Sequence, residues 1–131
     1  MVEFSYNHSR VHDGILGIER HQIPCIVGIY PEERVKEQSL FIDVKIKLDL
    51  SACYASRQME DTVDYVLIAQ ACTELAQKNQ YLLLETFAFD ILDHCLKHFR
   101  AEWAWVRIQK PSALPSAACA FVEFERSKSK D

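Results

Sequence analysis

Residues 40–48 alternate strictly between apolar and polar. Leu40, Ile42, Val44, Ile46 and Leu48 share one parity, and Phe41, Asp43, Lys45 and Lys47 share the other. A two-residue period is the mark of a strand with one buried face. Upstream, residues 15–27 are rich in strand formers but contain Pro24, which predicts a strand with an irregularity or an edge there. Residues 28–38 connect the two and are too many for a tight hairpin. Over residues 62–78 the period changes: Ile68, Ala71, Cys72 and Leu75 recur at helical spacing, with Asp61 and Asp64 near the start, where acids suit the helix dipole. After the polar break at 77–80, Leu84, Phe87, Ala88, Ile91, Leu92, Cys95 and Phe99 follow the i, i+3, i+4, i+7 rule. The opposite side of that helix carries Asp90, Asp93, His94, Lys97 and His98. Two more alternating stretches follow. In residues 103–110, Ala104, Val106, Ile108 and finally Lys110 share a parity before Pro111 stops the ladder. In residues 117–126, Ala118, Ala120, Val122 and Phe124 do so.

The order β-β-α-α-β-β predicts an α+β domain, an antiparallel four-stranded sheet with two helices on one face. The other sheet face carries Phe41, Trp103, Trp105 and Phe121, and four large aromatics on a nominal solvent face point to an oligomer interface. The 131 residues make one domain. A chain of this size buries about two-thirds of its surface, enough for a core without metal or disulfide staples. The expected organisation is an N-terminal arm over residues 1–14, a domain over 15–126 and a polar tail over 127–131. Arg126, Lys128 and Lys130 read as part of a frayed, solvated C-terminus.

Charge and composition remove several functions. A net charge of −4 is a solubility charge and lacks the basic face that nucleic acid requires. Gly14, Gly17 and Gly28 are the only glycines and cannot form a G-x-G-x-x-G turn or a Walker loop. The five cysteines are odd in number and contain no C-x-x-C, which suits reduced thiols in a cytoplasmic protein. No secretory pattern opens the chain, and no run approaches the ~20 apolar residues of a membrane span.

Few polar residues stand out. His94 and His98 have a metal-compatible spacing, but no third ligand is placed and a solvated helix face explains them; no metal is expected. Glu85 is the one acid in the helix start "YLLLET", where it either complements the dipole or anchors a ligand. Lys110 lies on the inward parity at a strand end, as a snorkelling side chain or a functional amine. Tyr65 is a core residue or a site residue. Glu33, within "YPEERVKEQ", is a solvated loop acid or a site acid.

Taken together, "VGIYPEERVKEQSLFIDVKIKLDL", "DTVDY", "LLLETFAFDIL" and "VRIQKPSA" resemble, in order and spacing, the dihydroneopterin aldolase family of folate biosynthesis. The resemblance spans about residues 15–126. It implies the tunnelling fold, in which β-β-α-α-β-β subunits join their sheets into an oligomeric barrel, a tetramer or octamer with active sites between subunits. It implies a pterin substrate and no cofactor. Residue by residue, Lys110 matches the catalytic lysine, and Tyr65 the tyrosine that reaches a neighbouring subunit's site. Glu85 matches the carboxylate that binds the pterin, with Leu84 lending backbone contact. Glu33 matches the loop acid near the reacting end, and its spacing from Gly28 favours it over Glu32. The reaction implied is retro-aldol cleavage of 7,8-dihydroneopterin, releasing glycolaldehyde. The alternatives are a dihydroneopterin triphosphate 2'-epimerase and a non-catalytic pterin-binding oligomeric domain.

Overall fold

The structure is a computed structural model that describes residues 12–128. Four strands form one antiparallel sheet in the order β1 (Asp13–Cys25), β2 (Gln38–Asp49), β3 (Trp103–Lys110) and β4 (Ala120–Ser127). Between β2 and β3 come a short helix α1 (Ser51–Ser56), then α2 (Tyr65–Asn79) and α3 (Leu84–His98). The alternation read from the sequence sets the register. Ile18 lies opposite Val44, Val44 opposite Val106, and Val106 opposite Phe124, so one row of apolar residues crosses the whole sheet.

The inward parity of β2 and β3 is fully buried, from Leu40 to Leu48 and from Ala104 to Ile108. The same core contains Ile68, Cys72 and Ala76 of α2, and Phe87, Ala88, Ile91, Leu92 and Cys95 of α3. α2 packs on β1, and α3 packs on β3 and β4. Apolar burial of this kind contributes roughly 25 cal/mol per Å², the main force holding the layers together. Among the described residues no polar or charged residue is fully buried.

The structure differs from expectation in several places. The irregularity in β1 is not at Pro24, which pairs in register with Ser39; the register shifts between Ile18 and His21, where Arg20 adopts a φ of 51°. The other expected reading of Pro24 holds: β1 is an edge strand, where the missing N–H is tolerated. The connector after β1 contains a turn of 3-10 helix, Pro31–Arg34. α1 was not expected; at six residues and with no side-chain cap it is too short to show a period. α2 begins at Tyr65, three residues after the expected start at 62, because Asp64 caps it by accepting a hydrogen bond from the Val66 N–H at 2.9 Å. β4 begins at Ala120 rather than at 117. Arg126 is not part of a frayed end: it pairs with Ala104 in β4 and bonds Asp93 of α3. Asp13 and Gly14 already belong to β1, while residues 1–11 of the expected arm and 129–131 of the expected tail lie outside the described residues.

On the outer sheet face, cations cover aromatic rings. The Arg20 guanidinium lies 4.5 Å from the Phe41 ring centre, Lys45 Nζ 4.6 Å from Trp105, and Arg107 4.0 Å from Phe121. Phe121 remains exposed, whereas Phe41, Trp103 and Trp105 are half-buried.

Candidate functional site

One end of the sheet gathers the reactive groups. Lys110 closes β3 on the inward parity, and Pro111 immediately ends the ladder, so the side chain leaves the core at its rim. There its Nζ meets Glu33 Oε2 at 2.7 Å. Both side chains are sheltered, 13% exposed for Lys110 and 19% for Glu33.

Glu33 is held by the shape of its own loop. The 3-10 turn brings it back toward Tyr30, whose N–H donates to Glu33 Oε1 at 3.2 Å. Gln38 Nε2 donates to Glu33 Oε2 at 3.3 Å and to the Val27 carbonyl at 2.9 Å. The carboxylate occupies space that any side chain at residue 28 would fill: a Cβ on Gly28 would lie 2.2 Å from Glu33 Oε1. Gly28 also has a φ of +124°, a conformation that L side chains rarely adopt. The Lys110 ammonium and these N–H donors hold the Glu33 carboxyl below its ordinary value, outweighing the opposing cost of partial burial.

Gln38 is the hub of this arrangement. Its Oε1 accepts from Ser112 Oγ at 2.5 Å, which fastens the turn after Lys110 to the start of β2. The connector between α2 and α3 joins the same cluster. Gly28 N–H donates to the Tyr81 carbonyl at 3.0 Å, and Arg34 donates to the carbonyls of Gly28, Gln80 and Tyr81. Tyr81 is anchored in turn: its ring stacks on Phe87 and its hydroxyl donates to Asp90 Oδ2 at 2.6 Å. Burial and the Asp90 carboxylate push the Tyr81 phenol up, so it stays protonated.

Leu84 and Glu85 open α3 a few residues beyond Tyr81. Glu85 is exposed in the first turn of α3, at the positive end of the helix dipole. Tyr65 is not brought to this cluster within the chain. It starts α2, whereas the cluster adjoins the end of α2; the fourteen steps from Tyr65 to Asn79, at about 1.5 Å each, separate the two by about 21 Å. Tyr65 is 61% exposed, which rules out the core reading. Its neighbours Val66 and Leu67 are also exposed.

Glu32 is exposed, and it is Glu33 that pairs with Lys110. His94 and His98 lie with ring centres 4.5 Å apart, His94 edge-on to Phe99. Among the described residues no group of three metal-ligating side chains exists. No helix among them is long and apolar enough to cross a membrane. Arg34, Gln38, Ser112 and Tyr81 were missed from the sequence. Each reads as an ordinary polar or aromatic residue until the register brings it to the cluster.

The chain is similar to known proteins over nearly its full length. The family model for dihydroneopterin aldolase, FolB, matches residues 16–126. A folic acid synthesis protein of Dictyostelium discoideum is 30% identical over 80% of this chain, which spans only 16% of that longer protein. The dihydroneopterin aldolase of Escherichia coli K12 is 27% identical over 86% of this chain and 92% of its own length. Among solved structures, a putative dihydroneopterin aldolase of Vibrio cholerae superposes with a TM-score of 0.81 at 28% identity, covering 88% of this chain and 97% of that one. The E. coli dihydroneopterin aldolase in complex with neopterin superposes with a TM-score of 0.80 at 25% identity, covering 88% and 98%. This four-stranded sheet, with an acid and a lysine paired at one end, belongs to the dihydroneopterin aldolase family.

Proposed function

We propose that this chain cleaves 7,8-dihydroneopterin into 6-hydroxymethyl-7,8-dihydropterin and glycolaldehyde in folate biosynthesis, without a cofactor, as a homo-oligomer with sites between subunits. The observation that carries the reading is the Lys110–Glu33 pair at 2.7 Å, set at the rim of the sheet close to the start of α3. It is supported by the family membership and by the neopterin held in the similar E. coli enzyme.

Retro-aldol cleavage needs a base, an electron sink and a grip on the flat ring. Glu85 grips the ring, because a carboxylate pairs well with the two adjacent N–H donors of an aminopyrimidinone. Leu84 adds main-chain contact. The sink is the substrate's own C=N bond, protonated at nitrogen. Lys110 acts here as its neutral amine: directly or through a water it takes the proton of the hydroxyl on the second side-chain carbon and becomes the ammonium that Glu33 holds. The bond between the first and second side-chain carbons then breaks, glycolaldehyde leaves, and the electron pair moves toward the ring nitrogen. Reprotonation at the first side-chain carbon returns the proton and gives the hydroxymethyl product. Glu33 orients the hydroxyls and holds Lys110 in place.

Tyr65 joins this site from a neighbouring subunit, where it orients the water. The ~21 Å that α2 puts between Tyr65 and its own chain's cluster supports this arrangement. The exposed Tyr65, Val66 and Leu67 supply apolar surface for the contact.

The test incubates purified protein with dihydroneopterin without added metal and separates the products. Glycolaldehyde and the hydroxymethyl pterin are expected. An epimerised substrate with no glycolaldehyde would assign the epimerase reaction instead, and unchanged substrate would sink the proposal. Subunit mixing tests the shared site. Lys110→Ala and Tyr65→Phe oligomers, each poorly active alone, should regain activity when dissociated and reassembled together. No gain on mixing would place Tyr65 outside the partner's site.

A further inference from the structure

Arg34 follows Glu33 directly in the 3-10 turn but takes no part in the chemistry above. Its guanidinium is spent on main-chain carbonyls: Nη1 donates to Gly28 at 3.0 Å and Tyr81 at 3.3 Å, and Nη2 donates to Gln80 at 2.9 Å. One carbonyl belongs to the loop that carries Glu33. The other two belong to the connector that leads into Leu84 and Glu85. Both connectors bend through left-handed residues, Gly28 with φ +124° and Gln80 with φ 46°. Such bends have no ladder of their own to hold their direction. The carbonyls near Gln80 also close α2, where the negative end of the helix dipole favours a cation.

We propose that Arg34 is a positioning residue that sets the distance between the ring-holding start of α3 and the reacting pair Glu33–Lys110. This rests on the aldolase reading above. The physical reason is the shape of the guanidinium. A rigid planar fork with five N–H donors holds three carbonyls in one fixed arrangement, which a point-like ammonium cannot do. Ring and side chain of the substrate are gripped by different connectors, so an error in their separation falls on the bond that breaks. A misplacement of about 1 Å at such a bond costs on the order of 100-fold in rate.

The experiment uses the full-length oligomer with Arg34→Ala and Arg34→Lys. Three quantities are read: kcat on dihydroneopterin, the Kd of 6-hydroxymethylpterin as a ring probe, and the carboxyl titration of ¹³C-labelled Glu33 by NMR. For Arg34→Ala, kcat is expected to fall ~100-fold while the Kd of the ring probe changes less than ~3-fold. The Glu33 midpoint moves up toward the ordinary carboxylate value as its contact with Lys110 loosens. Arg34→Lys keeps the charge and recovers only part of the rate; full recovery would show that charge, not the fork, matters and would overturn the proposal. Equal losses in kcat and ring affinity would mark Arg34 as a general loop staple and also overturn it, as would an unchanged kcat in folded Arg34→Ala. Should Arg34→Ala not fold, Arg34→Lys carries the same three readings. A wild-type protein that releases no glycolaldehyde defeats the aldolase reading. The Glu33 titration still judges Arg34 in that case, because an unmoved midpoint defeats the positioning role by itself.

Discussion

Replacing Gly28 with alanine tests how the loop acid is held. The new Cβ would lie 2.2 Å from Glu33 Oε1, 2.3 Å from Cδ and 2.5 Å from Oε2. Ordinary contacts between such atoms need about 3.5 Å, so the carboxylate must retreat by about 1 Å or more. It then gives up Lys110, Gln38 and the Tyr30 N–H. Two costs add. An L residue at a φ of +124° carries backbone strain of about 1–3 kcal/mol. Leaving sheltered polar groups without partners costs a further ~1–2 kcal/mol. Gly28→Ala should therefore destabilise by about 2–5 kcal/mol. In a Glu33→Ala background the collision is absent and only the strain remains, about 1–3 kcal/mol. The two substitutions should thus be less costly together than the sum of the parts, by ~1–2 kcal/mol. The assay is urea unfolding of wild type, both single variants and the double variant at one protein concentration, since assembly shifts apparent stability. Costs that add to within ~0.5 kcal/mol would refute the claim that Gly28 exists to make room for this carboxylate.

Lys110→Ala should lower kcat by several orders of magnitude and leave pterin affinity nearly unchanged; loss of binding with normal turnover would reject its role as the base. The depressed Glu33 carboxyl makes a signed contribution to acid stability. Its folded value lies below its unfolded one, so the stabilisation is complete above the unfolded value, ~4.3, and disappears as pH falls through the folded value. Urea midpoints of wild type minus Glu33→Gln should accordingly shrink from pH 6 to pH 3, and a constant difference would contradict the pairing. Cys25, Cys72 and Cys95 are buried, with the Cys25 thiol pushed up to about 11 and that of Cys95 to about 12. A thiol reagent at neutral pH should react rapidly with at most Cys53 and Cys119, read by mass spectrometry. Phe87, fully buried and stacked 4.9 Å from Tyr81, should cost about 3–5 kcal/mol when changed to alanine, measured by chemical unfolding.

The layers of this fold are legible in the sequence because period and burial coincide. The alternation over residues 40–48 and 103–110 specifies the central strands. The helical spacing from Leu84 to Phe99 marks α3, since each periodic position is apolar and each meets the core. Bends are less legible. Nothing in "IERHQ" announces that the chain bulges at Arg20, because a bulge is set by which partner residues a neighbouring strand presents. The site divides in the same way. Lys110 is visible as a charge on an apolar parity. Its partner Glu33 is identified through the family resemblance, because the pairing depends on a loop closed by Gly28, Arg34 and Gln38. Gln38 and Ser112 stand 74 positions apart and meet only through strand register. Tyr65 is ambiguous from residues alone, and its exposure appears only once Asp64 has fixed the start of α2.

The two edges of the sheet carry a consequence of their own. Among the described residues β1 and β4 are the terminal strands, each with one side turned away from the ladder, and they are unlike in length and sequence. A bare edge invites another strand. If β4 of one copy takes β1 of the next, the contact is head-to-tail, and a pair of copies joined once still shows one edge of each kind. Such growth has no natural stopping size of two. It ends only when curvature brings the last edge back to the first, and otherwise runs on as a fibre. In such a ring the twist of this sheet, with its register shift near Arg20, would act as a counting device. Small changes in β1 that leave every buried contact intact could alter how many copies close the circle.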